Sequence, residues 1–193
     1  MTAIDRRPSR RVGRLLRAAF AVGLLSLTLG AGAAAADSRG SGSDDHDGSH
    51  HRHRGFEAVK EATSRFRNLS VAQDAGYGLF PGCFSNPAGG MGVHYVQFPS
   101  VGDGKLDPLK PEALVYEPRG GGRMRLVAIE YIVIAASWTG SQPPSVFGHA
   151  LDFVPAPNEF GLPDFYELHV WLFKENPNGM FNEWNPRVTC DRA

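Results

Sequence analysis

Three of the seven histidines in this 193-residue chain stand in segments otherwise made of apolar and β-favouring residues: His94 in GVHYVQF, His149 in VFGHALD and His169 in YELHVWLF. Two glutamates share that setting, Glu130 in LVAIEYIVIA and Glu167 two residues before His169. Alternation along a strand puts Glu167, His169 and Trp171 on one face, His94 with Val96 and Phe98, and Glu130 with Ala128, Ile132 and Ile134. A buried charge without a partner is costly, so polar side chains among apolar neighbours need a common solution. One solution is a divalent metal site in which His94, His149 and His169 supply neutral imidazoles and Glu130, or alternatively Glu167, supplies the carboxylate. That donor set suits Zn, Cu, Fe or Mn, and an unfilled coordination position would let the ion activate water or polarise a carbonyl. The other solution is local: each histidine hydrogen-bonds inside the core, and Glu130 pairs with Arg123 or Arg125.

The segments that must position these residues can be read from periodicity. FEAVKEATSRFRNLSVAQDAGYG repeats apolar residues at Val59, Ala62, Phe66, Leu69 and Ala72, which predicts one helix with a single buried face, stopped near Gly76. ALVYE and RMRLVAIEYIVIA flank PRGGG, a hairpin pattern, and GVHYVQF and FYELHVWLF read as two further strands. Pro- and Gly-rich stretches separate them. The expected architecture is one α+β domain over residues 56–193, with an N-terminal helix packed on a curved, mainly antiparallel sheet that closes towards a barrel.

The first 55 residues have a different character. Arg6, Arg7, Arg10, Arg11, Arg14 and Arg17 precede the apolar run AAFAVGLLSLTLG and the stretch AGAAAAD, the order of a secretory signal over residues 1–36. The run is shorter than the roughly 20 residues that a membrane helix needs, so no span remains once the signal is removed. SRRVGRLL leaves twin-arginine export open beside general secretion. Without residues 1–36 the chain keeps 14 basic and 19 acidic residues, a net charge of −5. That balance lacks the basic footprint of a nucleic-acid binder. Residues 37–55, DSRGSGSDDHDGSHHRHRG, contain no large apolar side chain and are expected to form a disordered linker. Its histidines, His46, His50, His51 and His53, lie near Asp44, Asp45 and Asp47, and either bind metal adaptably as an auxiliary site or are simply solvated.

Cys83 and Cys190 are the only cysteines, and an isolated pair in an exported chain is expected to form a disulfide. The C-terminal NPNGMFNEWNPRVTC, with two Asn-Pro turns and three large apolar residues, reads as a tail folded back on the sheet. No GxSxG, HExxH, EF-hand or phosphate-loop pattern occurs, so no reaction follows from motifs.

Taken in order, ATSRFRN, AGYG, GMGVHYVQF, PEALVYEP, RLVAIEYIV and YELHVWLFKENPNGMFNEWNPRVTC resemble a group of uncharacterised exported proteins of actinobacteria. The resemblance covers nearly all of the chain after the linker. It implies export and a single domain and carries no activity with it. Two functions therefore stand as expectations: a secreted or cell-envelope metal-binding protein, with a metalloenzyme as its stronger form, or a non-catalytic module that binds a small organic molecule.

Overall fold

β-branched and aromatic residues form strands where their alternation predicts them, and every pairing is antiparallel. The computed structural model describes residues 44–193, with side chains from residue 54 onward. In chain order the elements are α1 (Asp44–Thr63), a 3-10 turn (Ser64–Arg67), α2 (Leu69–Asp74), β1 (Gly78–Leu79), β2 (Phe84–Asn86), β3 (Gly89–Val96), α3 (Phe98–Val101), β4 (Ala113–Pro118), β5 (Met124–Ile134), β6 (Ser145–Val146), β7 (His149–Ala150), β8 (Asp152–Val154) and β9 (Phe165–Val170), with a short 3-10 turn (Ala135–Ser137) after β5. The main sheet runs β1-β3-β4-β5-β9-β8, with β2 also paired to β3, while β6 and β7 form a separate ribbon. The sheet is open, with β1 and β8 at its edges, so the barrel-like closure is not formed. Among the described residues no helix is long and apolar enough to cross a membrane.

The helical segment departs from expectation at both ends. Instead of one helix through Phe56–Asp74, α1 ends at Thr63 and Asn68 turns extended, with φ −89° and ψ 111°, to cap α2 by accepting from the Ser70 N–H. Ser, Thr, Asn and Asp favour such local bonds over a continuous helix, and TSRFRNLS supplies four such residues. Within α1 the buried stripe passes from Val59 to Thr63, not to Ala62, and the Thr63 hydroxyl donates to the Val59 carbonyl at 2.7 Å. At the other end, α1 already begins at Asp44, inside the segment expected to be a linker. Once a helix is nucleated, each added residue gains a backbone hydrogen bond at small cost. Residues 1–43, which hold the expected signal and the start of the linker, lie outside the described residues, as do the side chains of His46, His50, His51 and His53.

The sheet divides the interior into two regions. One face carries Val93, Tyr95, Leu114, Tyr116, Ile129, Tyr131, Leu168 and Val170, packed with Val59, Phe66 and Ala72 of the helical segment. Tyr116 ties the two layers by donating its hydroxyl to the Phe66 carbonyl at 2.6 Å. The other face carries Val96, Ala113, Val115, Ala128, Ile132 and Trp171, and it is this face that holds the polar residues.

Two features secure the sheet. Cys83 and Cys190 are bonded, joining the segment before β2 to the end of the tail across 107 residues of chain. Just before the start of β4, the buried Glu112 carboxyl accepts from the Ile132 N–H at 3.1 Å. Burial drives the Glu112 pKa from 4.5 up to about 8, so the carboxyl is neutral in the fold near pH 7.

Both features have measurable consequences. The Cys83→Ser/Cys190→Ser double variant loses up to roughly 4–5 kcal/mol, the chain entropy of a loop of this size, read as a lower urea midpoint than the oxidised protein. An unchanged midpoint contradicts the bond's stabilising role. Because the folded Glu112 pKa is raised, its contribution is fully present below the unfolded value of 4.5 and is lost as pH rises through about 8. Glu112→Gln keeps the acceptor for Ile132 and removes the titration, so its stability falls less steeply across that window. Parallel pH profiles for the two proteins would refute this account.

Candidate metal centre

Strand register decides which of the polar residues meet. Glu130 on β5 lies directly opposite His169 on β9, and on its other side opposite Ala113 on β4. His94 on β3 lies opposite Val115, one same-face position along β4 from Ala113. Adjacent strands are about 4.8 Å apart, so β3 and β5 are separated by roughly twice that. The imidazole of His94 can reach Glu130 across β4 because β4 contributes only Ala113 and Val115 to the face between them. Its Nε2 lies 3.3 Å from Glu130 Oε2 and 3.3 Å from His169 Nε2, and His169 Nδ1 lies 3.7 Å from Glu130 Oε1. One ligand atom from each of the three residues lies within 4.8 Å of the other two, and no residue of the trio is more than 5 % exposed.

The trio is poor as a hydrogen-bonded core cluster. In either tautomer a single bond between the two Nε2 atoms leaves other groups unserved: His94 Nδ1, His169 Nδ1 and Glu130 Oε2 are buried without hydrogen-bond partners. Each orphaned polar atom costs about 1–3 kcal/mol, and Glu130 Oε2, 3.3 Å from His94 Nε2, is the one that an ion between the two Nε2 atoms would serve. The spacing suits a metal ion: two ligands 2.0–2.1 Å from an ion at a tetrahedral angle lie about 3.3–3.4 Å apart.

Electrostatics favour the same use. Burial lowers the His94 pKa to about 4, and burial together with the neighbouring His94 holds His169 well below its ordinary value. Both rings therefore keep a free lone pair at neutral pH, which metal ligation requires. Burial, reinforced by the nearby Glu167 charge, raises Glu130 well above the usual carboxylate range. Glu167 occupies the next position along β9, opposite Ile132, and is pushed up to about 7 by burial, with its bond to Glu130 opposing the shift. It stands beside the trio, not in it. Glu183, in the NEWN part of the tail, is bonded to Glu167 and is likewise raised by burial.

The other expected ligand lies elsewhere. His149, on β7, packs its ring against Phe181 at 3.9 Å and Phe56 at 5.9 Å, aromatic residues that belong to the core on the opposite face. A residue between prolines and glycines has no strand alternation from which its direction can be read, so its place in the ligand set is corrected. Arg123 and Arg125 are not partners of Glu130 either: Arg125 pairs in register with Glu117, and Arg123 donates to the Gly120 carbonyl. Glu183 escaped notice because its tail carries no periodicity, although it is an acid set among Met180, Phe181 and Trp184.

A cavity of about 60 Å³ opens over the site. Its polar lining is His94, Glu130 and Glu167; the rest is apolar, including Phe80, Phe84 and Phe160. The tail closes the site from another side. It folds back as expected, with the backbones of Gly90 and Asn185 bonded reciprocally at 3.1 Å and the Trp171 indole N–H on the Asn182 carbonyl at 2.6 Å. Comparison with protein-family models, curated proteins and solved structures yields no match to this chain.

The histidine shifts give a signed expectation for the metal-free protein. A base whose folded pKa is depressed contributes stability that is present above its unfolded value of 6.5 and is lost as pH falls through about 4. Relative to His94→Phe, the wild type therefore loses roughly 1–3 kcal/mol more between pH 7.5 and about pH 4. Urea titrations in the presence of a chelator measure this, and identical losses would exclude a buried neutral imidazole at His94.

Proposed function

We propose that this is an extracytoplasmic metal-binding protein whose His94, Glu130 and His169 hold one divalent transition ion. The observation that carries the reading is the convergence of two neutral imidazoles and one carboxylate, from three strands, at ligand-to-ligand spacing and with orphaned buried atoms. The Cys83–Cys190 bond supports an oxidising compartment, and the signal-like first 36 residues support export to it.

Two nitrogens and one carboxylate leave coordination positions open, the arrangement of catalytic and not structural sites. When bound, such an ion supplies Lewis acidity. Glu130 would offset part of the ion's charge, and Glu167 stands beside it as a second carboxylate able to accept a proton from a molecule in the cavity. The apolar cavity favours a second reading, a metal-free module that binds a small organic molecule with Glu130 and the histidines as polar anchors.

Metal titration of the chelator-treated full chain separates the two. One zinc ion per chain binds with high affinity, and this site survives replacement of His46, His50, His51 and His53 by Ala. His94→Ala and Glu130→Gln weaken it by at least about a hundredfold, more than the loss of an outer partner would, while circular dichroism confirms that they fold. Because burial shifts Glu130 towards its protonated form in the metal-free protein, calorimetry in buffers of different ionisation enthalpy records net proton release on zinc binding. Tight binding unchanged in His94→Ala, or abolished by the linker replacements, would place the ion elsewhere.

A further inference from the structure

We propose that the cavity over Glu130 is a ligand pocket built for a very small molecule, about two to five non-hydrogen atoms, that is apolar except at the one end it presents to the metal centre. The size limit follows from volume. About 60 Å³ is well below the roughly 150 Å³ that accommodates a benzene ring. The chemical class follows from the walls. Phe80, Phe84, Val96, Ile132, Phe160 and Phe165 among others provide no side-chain hydrogen-bonding group, so a sugar, nucleotide or peptide backbone would lose its water contacts there without compensation.

Polarity is confined to one end. His94, Glu130 and Glu167 are the polar members of the lining, and Glu130 Oε2, at 3 % residue exposure, has no hydrogen-bond partner. Access is from the side of Phe98, which lines the cavity yet is 53 % exposed. A short-chain acid or carbonyl compound, or a diatomic gas, has the required shape: a compact apolar body with one polar or ligating end. The polar-end assignment rests on the metal reading, whereas the size and apolarity of the pocket do not.

Two measurements on the full-length protein test the two parts separately. In the first, the cobalt(II)-loaded protein is titrated with formate, acetate, propionate and benzoate, and the visible spectrum of the ion reports binding. Each added methylene tightens binding about threefold to fourfold up to propionate, and benzoate binds no better than formate. Ile132→Ala, which enlarges the pocket without touching a ligand, moves the optimum to a longer acid. A flat series, or citrate binding as tightly as propionate, overturns the inference. In the second, xenon NMR of the chelator-treated protein detects a saturable site that Ile132→Phe removes; a protein without that site overturns the inference as well. Failure to take up cobalt while xenon still binds removes the metal reading and leaves the pocket. Cobalt uptake with a flat acid series and no xenon site leaves the metal and removes the pocket.

Discussion

The burial of Glu130 in the middle of an apolar sheet face is the constraint on which the rest of the structure depends. A lone carboxylate taken out of water costs several kcal/mol even after relaxation, and here it stands opposite an imidazole on one side and an alanine on the other. The fold meets this cost in two ways. Burial shifts the group towards its neutral form, and the narrow side chains of β4 let His94 reach it from two strands away. A leucine at position 113 or 115 would fill the space that the imidazole crosses. The small residues of β4 are therefore as much part of the site as its donors.

The glycines before His94 act on the same region from the other side. Gly92 has φ +119°, and a Cβ there would lie 2.6 Å from the Tyr116 carbonyl oxygen. Gly89, at φ +138°, leaves room for the Asn185 carbonyl, which a Cβ would approach to 2.3 Å. The run GGMG thus lets the tail lie against β3 at backbone distance, and the tail brings Glu183 to Glu167. The Cys83–Cys190 bond holds the end of that tail next to β2, on the strand that flanks His94. Strand, tail and disulfide enclose one polar cluster.

Much of this was legible in the sequence, because strand alternation is a strict two-residue rule. It put Glu130 and His169 on definite faces, and the hairpin around PRGGG aligned β4 with β5. Alternation cannot say which strands are neighbours, so convergence of His94, Glu130 and His169 was open until the order β3-β4-β5-β9 was known. Where the two-residue rule did not apply, the reading was weaker. His149 lay between turn residues and packs on the opposite core, and Glu183 sat in a tail without periodicity. The helix was divided for a local reason: the Asn68 side chain offered its own bond to the Ser70 N–H, which an apolar stripe does not register.

The two faces of the sheet show how stability and chemistry are divided in this chain. The face under the helices carries tyrosines whose hydroxyls find backbone carbonyls, as Tyr116 does with Phe66 and Tyr131 with Pro108, so its polar atoms are satisfied. On the opposite face, three polar atoms have no hydrogen-bond partner among the described residues. A sequence selected only to fold would place apolar side chains at 94, 130 and 169, since any of them would pack there at lower cost. Keeping all three on paired strands of the main sheet serves recognition better than stability. The orphaned atoms are thus the part of the structure that packing alone does not explain, and an ion held between the two Nε2 atoms would complete one of them, Glu130 Oε2.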